Sequence, residues 1–326
     1  DSYTTTSPAS ATIGTNPCKI KVIGVGGAGG NAVKRMQGAG LQGPEFWAVN
    51  TDLQALSDFK NTKVNTLHIG QDITKGLGAG SIPANGRLAA ESNRREISKM
   101  VENVDLVFVT AGMGGGTGSG AAPLIAEMAK KAGALTVGIV TKPFAFEGKP
   151  RKKQAQEALE SLKAEVDTLI TVSNDRLLRV IPSETSLDKA FAVADDVLRQ
   201  AVAGVSEIIM KPGLINVDFA DVKSIMSQAG TALMGVGKGS GKNRARDAAI
   251  SAISSPLLDF PIQKAKGVMF NIVGGKDLQL QEVDEAADII YDAVDTNANI
   301  IFGATIDDTP SSTEEITITV IATGFP

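Results

Sequence analysis

Val104-Asp105-Leu106-Val107-Phe108-Val109-Thr110 leads through Ala111 into Gly112-Met113-Gly114-Gly115-Gly116-Thr117-Gly118-Ser119-Gly120. The first stretch is almost wholly apolar and β-branched, as in a strand covered on both faces. The second is a glycine run, with a helix predicted from about Ser119 to Ala132. Glycine tolerates φ > 0 and close backbone approach, so several N–H groups can converge on one anion. The helix N-terminus adds the positive end of its dipole, and Thr117 and Ser119 add hydroxyl donors. Packing alone does not ask for so many glycines. No G-x-x-x-x-G-K-[ST] occurs, so the expected triphosphate cradle is built from backbone amides rather than a Walker loop.

The same strand–glycine–helix order stands upstream. Lys19 to Val25 reads as a strand, Gly24-Val25-Gly26-Gly27-Ala28-Gly29-Gly30-Asn31 as a turn containing G-x-G-x-x-G, and Asn31 to Met36 as a helix. Further strands are expected at Glu45–Asn50, Val64–Ile69, Leu135–Val140 and Thr168–Val172, and a polar-faced helix at Arg151–Val166. The alternation specifies a doubly wound, mostly parallel sheet. A third segment, Gly76-Leu77-Gly78-Ala79-Gly80-Ser81, is expected to close over the phosphates from the side.

From Ser186 to Met210, Leu187, Phe191, Ala194, Leu198, Ala201, Val205 and Ile208 recur at helical spacing. The helix should be about 37 Å long, opened by the capping box Thr185-x-x-Asp188 and stopped by Pro212-Gly213. Beyond it, strands are expected at Gly267–Val273, Asn299–Ile306 and Ile316–Ala322, with a helix at Leu280–Val294. Lys238 to Arg246, rich in basic residues and glycine, reads as a solvated loop. The expected organisation is a disordered lead over 1–17, a nucleotide-binding domain over 18–182, a central helix over 183–212, and a second α+β domain with a mixed sheet over 213–326.

Composition narrows the function classes. A net charge of −4 with two tyrosines and one tryptophan argues against a nucleic-acid groove. The single Cys18 leaves no disulfide and no thiolate zinc cluster, and fits a reducing compartment. The single His68, in a strand-like segment, removes most triads and histidine metal sites, and no protein metal site is predicted. No apolar run reaches the roughly 18 residues of a bilayer span, so no direct membrane insertion is expected.

These motifs together resemble the tubulin/FtsZ family of GTPases over essentially all of 18–326. The family's G-G-G-T-G-[ST]-G stands at Gly114 to Gly120, and its first loop at Gly24 to Val33. Its γ-phosphate loop stands at Gly78-Ala79-Gly80, and its ribose segment at Phe146-Glu147-Gly148 with Arg151. Its synergy loop stands at Asn216-Val217-Asp218-Phe219-Ala220-Asp221-Val222. The resemblance implies that GTP/GDP with Mg2+ is bound. Gly27, Ala28, Gly29, Gly30 and Asn31 and the run Gly114, Gly115, Gly116, Thr117 and Gly118 would then lie at the phosphates. Glu147 and Arg151 would hold the ribose and neighbouring groups. Phe191 would stack on guanine, Asp195 would accept its N1 and N2 hydrogens, and Asn174 would touch the base. Pro150, where the family often has a basic residue, would alter the presentation of Arg151.

Hydrolysis needs a positioned water and charge neutralisation, normally with Mg2+, and the glycine loops hold no carboxylate. Asn216, Asp218 and Asp221 are the catalytic candidates, but they lie past the far end of the central helix. Asp195 to Met210 alone spans about 22 Å along its axis. One subunit cannot easily bring both ends to one nucleotide, so Asp218 and Asp221 are expected to act on the nucleotide of the next subunit. That contact is head-to-tail and heterologous, and gives open filaments when it does not close. The plainer alternative is that Asn216 or Asp218 caps a helix starting near Ala220.

The resemblance thus implies a self-assembling division protein whose partner is itself, and admits a paralogous FtsZ as a second. Two rival readings remain. An NAD-linked oxidoreductase would use the G-x-G-x-x-G with Asp52 on the ribose, but leaves the second glycine run unexplained. A filament that binds GTP and hardly hydrolyses it would not need Asp218 and Asp221. Pro44-Glu45-Phe46-Trp47 and Pro256-Leu257-Leu258-Asp259-Phe260-Pro261 look like the plastid branch, which implies the plastid stroma, with a bacterial or cyanobacterial cytoplasm as the alternative. FtsZ proteins usually continue past their core into a partner-binding tail, and tail partners cannot be read from Phe325-Pro326.

Overall fold

The computed structural model describes residues 18–326 except 180, 183, 211–214, 216, 259, 308–313 and 326. The expected lead over 1–17, the Pro212-Gly213 stop and the candidate Asn216 lie outside the described residues.

The first half of the chain alternates strands and helices: β1 (Ile20–Val25), α1 (Gly26–Gly38), β2 (Glu45–Asn50), α2 (Leu53–Ser57), β3 (Asn65–His68), α3 (Gln71–Thr74), α4 (Pro83–Ser92), α5 (Arg94–Val101), β4 (Leu106–Gly112), α6 (Gly116–Lys131), β5 (Leu135–Lys142), α7 (Lys149–Glu165) and β6 (Thr168–Ser173). There follow α8 (Asn174–Leu177), the long α9 (Leu187–Met210) and α10 (Phe219–Met226). The chain goes on through β7 (Gly230–Ser240), α11 (Arg244–Ile253), β8 (Gly267–Gly274), α12 (Leu280–Asp292), β9 (Asn299–Ile306) and β10 (Glu315–Thr323).

The strands make one ten-stranded sheet in the order β3-β2-β1-β4-β5-β6-β7-β10-β8-β9. All pairings from β3 to β7 are parallel, and β10 runs antiparallel to both β7 and β8. The α/β architecture is the doubly wound one expected, with a mixed sheet in the second half. That second sheet is not separate, however. β7 pairs with β6 through Gly230, Thr231 and Ala232 only, then with β10 from Leu233 to Ser240.

Alternating strand residues feed two layers, as a period of two requires. Phe108 and Val22 join α1, α9 and α10 in one core, while Val107, Val109 and Ile23 join α4, α5, α6 and α7 in the other. A third core packs α11 and α12 on β8 and β10. Among the described residues no helix is long and apolar enough to cross a membrane.

Several expectations need correction. Lys238–Arg246 is not a loop: Lys238 to Ser240 end β7, and Arg244 opens α11. Arg244 is buried, with Nε 2.6 Å from Glu282 and Nη1 2.7 Å from Asp277. The reason β7 escaped a hydrophobicity reading is its glycine stripe. A Cβ at Gly235, Gly237 or Gly239 would come within 2.1, 2.0 or 1.9 Å of the α11 carbonyls of Ala252, Ala248 and Arg244. The strand presents bare backbone so that the helix can lie on it. On α9, the first helical bond is accepted by the Ser186 carbonyl from the Ala190 N–H, one residue past the expected cap Thr185.

Candidate nucleotide site

The strand order reverses between β1 and β4, and open α/β sheets bind ligands beyond the carboxyl ends of the strands at such a point. Both glycine turns leave these two strands. They are helical where loops were expected: α1 begins at Gly26 and α6 at Gly116, not at Asn31 and Ser119. Neither helix has a side chain capping its N-terminus, so the first-turn N–H groups of two helices remain available to an anion.

The glycines divide by what surrounds them. Gly26 has φ +73° and a Cβ there would sit 3.0 Å from the Gly118 amide, so this pair brings the two helix starts together. Gly29 would meet the Thr110 carbonyl at 2.4 Å and Gly118 the Gly112 carbonyl at 2.8 Å. Gly116 would meet Ala79 at 2.8 Å, and Gly120 the Pro83 carbonyl at 2.0 Å. These are packing glycines, and the expectation that packing would not need so many is corrected. Gly27 and Gly115 are different: both have ordinary φ, and a Cβ on either would meet nothing within 4 Å. Nothing among the described residues forces glycine at these two, which fits close approach by a ligand. Ala28 and Asn31 are placed beside Gly27 on the first turns of α1, with Asn31 exposed, while Gly30 lies against Phe59. Gly114, at φ +97°, is backed by the Arg151 carbonyl, 2.7 Å from its would-be Cβ.

The hydroxyls expected to donate to phosphate also help to hold this turn. Ser119 Oγ accepts the Gly114 N–H at 2.8 Å, and Thr117 Oγ1 shares a 2.7 Å hydrogen bond with Thr51 Oγ1. Gly78, Ala79 and Gly80 lie alongside the start of α6. The Gly78 N–H donates to the Thr51 carbonyl, Ala79 is buried against Gly116, and Gly80, at φ +63°, is exposed with open space around its Cα. Asp52, weighed as a ribose acid, instead caps α2 by accepting from Gln54 N–H at 2.8 Å.

Glu147 and Arg151 pair across 3.0 Å, and Glu147 also accepts the Phe144 N–H at 2.8 Å. Pro150 sits in the first turn of α7, where a missing N–H costs nothing, so it leaves the helix intact. Phe191 on α9 lies edge-on to Phe144, which stacks on Phe146 at 5.0 Å. Phe191 and Phe146 are both exposed. Asn174, first residue of α8, is buried, and its Oδ1 has no hydrogen-bond partner among the described residues. A buried amide oxygen without a donor is costly unless something supplies one. Asp195 Oδ2 accepts from Arg35 Nε at 3.0 Å. Burial raises the carboxyl's affinity for its proton, and Arg35 opposes that. Sequence reading missed Arg35 and Phe144; a position one helical turn past Asn31 is the signal that could have pointed to Arg35.

Of the catalytic candidates, Asp218 and Asp221 are not brought to this site. Asp218 caps α10, its Oδ1 accepting the Asp221 N–H at 2.8 Å, and Asp221 is exposed. The plainer capping role therefore holds for Asp218. Two contacts fix the surroundings. Met210, ending α9, lies against Gly43 just before β2, and the Met226 carbonyl, ending α10, accepts from Thr168 Oγ1 at the start of β6. Both anchors are at the amino edge of the parallel strands. The six residues of β6 span roughly 20 Å to the other edge. No cluster of three or more His, Cys, Asp or Glu suited to a metal occurs among the described residues. The cradle offers amides but no carboxylate, so these residues do not by themselves form a magnesium site.

A model described as the GTPase domain of the tubulin/FtsZ family matches residues 19–182, and one described as the FtsZ C-terminal domain matches 230–326. Among solved structures, an empty FtsZ dimer of M. jannaschii is 44% identical, with a TM-score of 0.89 over 94% of this chain and 88% of its own. A tryptophan-to-tyrosine mutant of FtsZ from M. jannaschii gives 44% and 0.90 over 94% and 91%. A GTPγS-bound protofilament of CetZ2 from Haloferax volcanii shares the fold at 23% identity, with a TM-score of 0.74 over 93% and 92%. With its sheet order, its two convergent helix starts and both family halves in sequence, this chain belongs to the tubulin/FtsZ family of GTPases, on the FtsZ side.

Proposed function

We propose that this chain binds GTP on the amide cradle of α1 and α6 and assembles head to tail, each subunit completing the hydrolytic site of its neighbour in a division filament. The observation that carries the reading is the separation of chemistries. The open glycines Gly27 and Gly115 lie at the carboxyl edge of the sheet, and Asp218 and Asp221 lie between two anchors at the amino edge. Stacking copies amino edge on carboxyl edge brings the acids of one to the phosphates of the next, which is a heterologous contact. The dimer of the M. jannaschii relative supports self-association.

In this scheme residues 18–182 hold the nucleotide, 183–212 carry the connection, and 213–326 present the acids. Gly27 to Asn31, Gly78 to Gly80 and Gly114 to Gly118 surround the phosphates. Glu147 and Arg151 serve the ribose, and Phe191, Asn174 and Asp195 serve the base. Magnesium arrives with the nucleotide and neutralises phosphate charge when bound. The carboxylates Asp218 and Asp221, with Asn216 beside them in sequence, orient the water that attacks the γ-phosphorus as the bond to the bridging oxygen breaks. The setting, plastid stroma with a bacterial or cyanobacterial cytoplasm as alternative, rests on the segments Pro44–Trp47 and Pro256–Pro261 alone. A paralogous FtsZ is a second candidate partner.

Mixing tests the central claim. Asp221→Ala protein should bind GTP normally and hydrolyse almost none. Added to wild type at constant total concentration, it should lower activity per wild-type subunit, measured as phosphate release. Activity in simple proportion to the wild-type fraction would show that each subunit completes its own site.

A further inference from the structure

We propose that Arg35 is a specificity-determining positioning residue: by holding Asp195 Oδ2 it keeps Asp195 Oδ1 available as the acceptor for the N1 and N2 hydrogens of guanine. This rests on the reading above that Asp195 meets the base.

Asp195 Oδ2 receives Arg35 Nε at 3.0 Å, and Oδ1 has no partner among the described residues. A carboxylate has about four lone-pair sites, so Oδ2 also retains room for a second donor. The Asp195 side chain is 13% exposed and that of Arg35 47%. The carboxylate is thus largely buried while the guanidinium reaches it from the solvent side. Burial favours protonation of Asp195, and a protonated carboxyl would set its own O–H against the donors of guanine. The cation opposes this through its hydrogen bond and its charge, and so favours the acceptor form. The planar guanidinium also restrains the carboxylate plane in a way that a point charge does not.

The link also joins two parts of the site. Arg35 is on α1, whose first turns carry Gly27, Ala28 and Asn31, and Asp195 is on α9. A nucleotide laid from α1 to α9 has its phosphates on one helix and its base on the other. Arg35 fixes the distance between them. As a stability device the pair would be weak, since an ion pair with one partner half-exposed contributes little to folding. Its effect should therefore appear in recognition.

The test compares GTP with ITP, whose base lacks the exocyclic 2-amino group, in binding to Arg35→Met, Arg35→Gln and Asp195→Ala, with thermal melts as folding controls. Arg35→Met should melt close to wild type, lose about tenfold in GTP affinity, and lose much less in ITP affinity, so that the GTP/ITP preference falls by about threefold or more. Arg35→Gln, which keeps a donor without the charge, should fall between; it also serves if Arg35→Met does not fold. If Asp195→Ala abolishes the preference and both Arg35 variants retain it, the role of Arg35 is overturned while the base reading stands. Equal losses for GTP and ITP in the Arg35 variants would overturn it too, by showing a structural role. If Asp195→Ala itself keeps the preference, the base reading fails and takes this inference with it.

Discussion

Gly115 and Gly120 stand five positions apart and answer to different constraints. At Gly115 an added methyl meets open space, whereas at Gly120 it would lie 2.0 Å from the Pro83 carbonyl and 2.6 Å from the Arg87 amide. Gly120→Ala must push α4 off α6, an overpacking cost of about 1–3 kcal/mol. Its melting temperature should fall by several degrees on calorimetry, roughly 4 °C or less per kcal/mol at this size. Gly115→Ala should melt like wild type and lose about tenfold or more in GTP affinity, as the methyl displaces phosphate from the amides. Equal melting of the two variants would contradict the division into packing and ligand glycines. Arg244 offers a second prediction at this scale. Its hydrogen bond to Glu282 is the main cause holding that carboxyl below its ordinary value of 4.5. A lowered folded-state value adds stability above the unfolded value and loses it as pH falls through the folded one. Arg244→Met should therefore be destabilised at pH 7 and nearly match wild type in strong acid, where Glu282 is protonated in both. Urea midpoints at the two pH values measure this.

α10 shows how an element separates a structural duty from a chemical one. Asp218 caps it through Oδ1 to the Asp221 N–H, and Asn caps about as well as Asp, while Ala costs about 1 kcal/mol. Asp218→Asn should keep the melting temperature of wild type, and Asp218→Ala should lower it. Both should lose turnover in a phosphate-release assay if the carboxylate also serves the neighbour's nucleotide. Full activity in Asp218→Asn would leave the residue a cap alone. Elements of this kind mark where sequence reading works and where it stops. α9 was legible because its apolar residues repeat at three and four, and β4 because both its faces are buried. α1 and α6 were legible as helices but not in their starts, since glycine gives no propensity signal and the first turns are set by packing of Gly26 on Gly118. β7 hid behind Gly235, Gly237 and Gly239, a period of two written in absent side chains. The Arg35–Asp195 pair joins positions 160 apart, and no local pattern announces such a contact.

At the scale of the whole molecule, the proposal that the two edges of the sheet divide the labour makes activity depend on encounter. Phosphate release per subunit should rise with protein concentration and level off once assembly is complete, as followed by sedimentation in the same samples. A constant rate per subunit across that range would contradict shared sites. The sheet order has a further consequence, in the making of the protein. β10 is the last of the described strands, yet it sits between β7 and β8 and delivers Ile316, Ile318 and Val320 to the core. A chain growing from the ribosome can close its first parallel strands early, but β7 and β8 keep open edges until Glu315–Thr323 has emerged. A translation product cut short before Glu315 should be insoluble or rapidly degraded. Subunits with a closed sheet thus come only from chains translated through this strand, which screens out incomplete copies before any assembly.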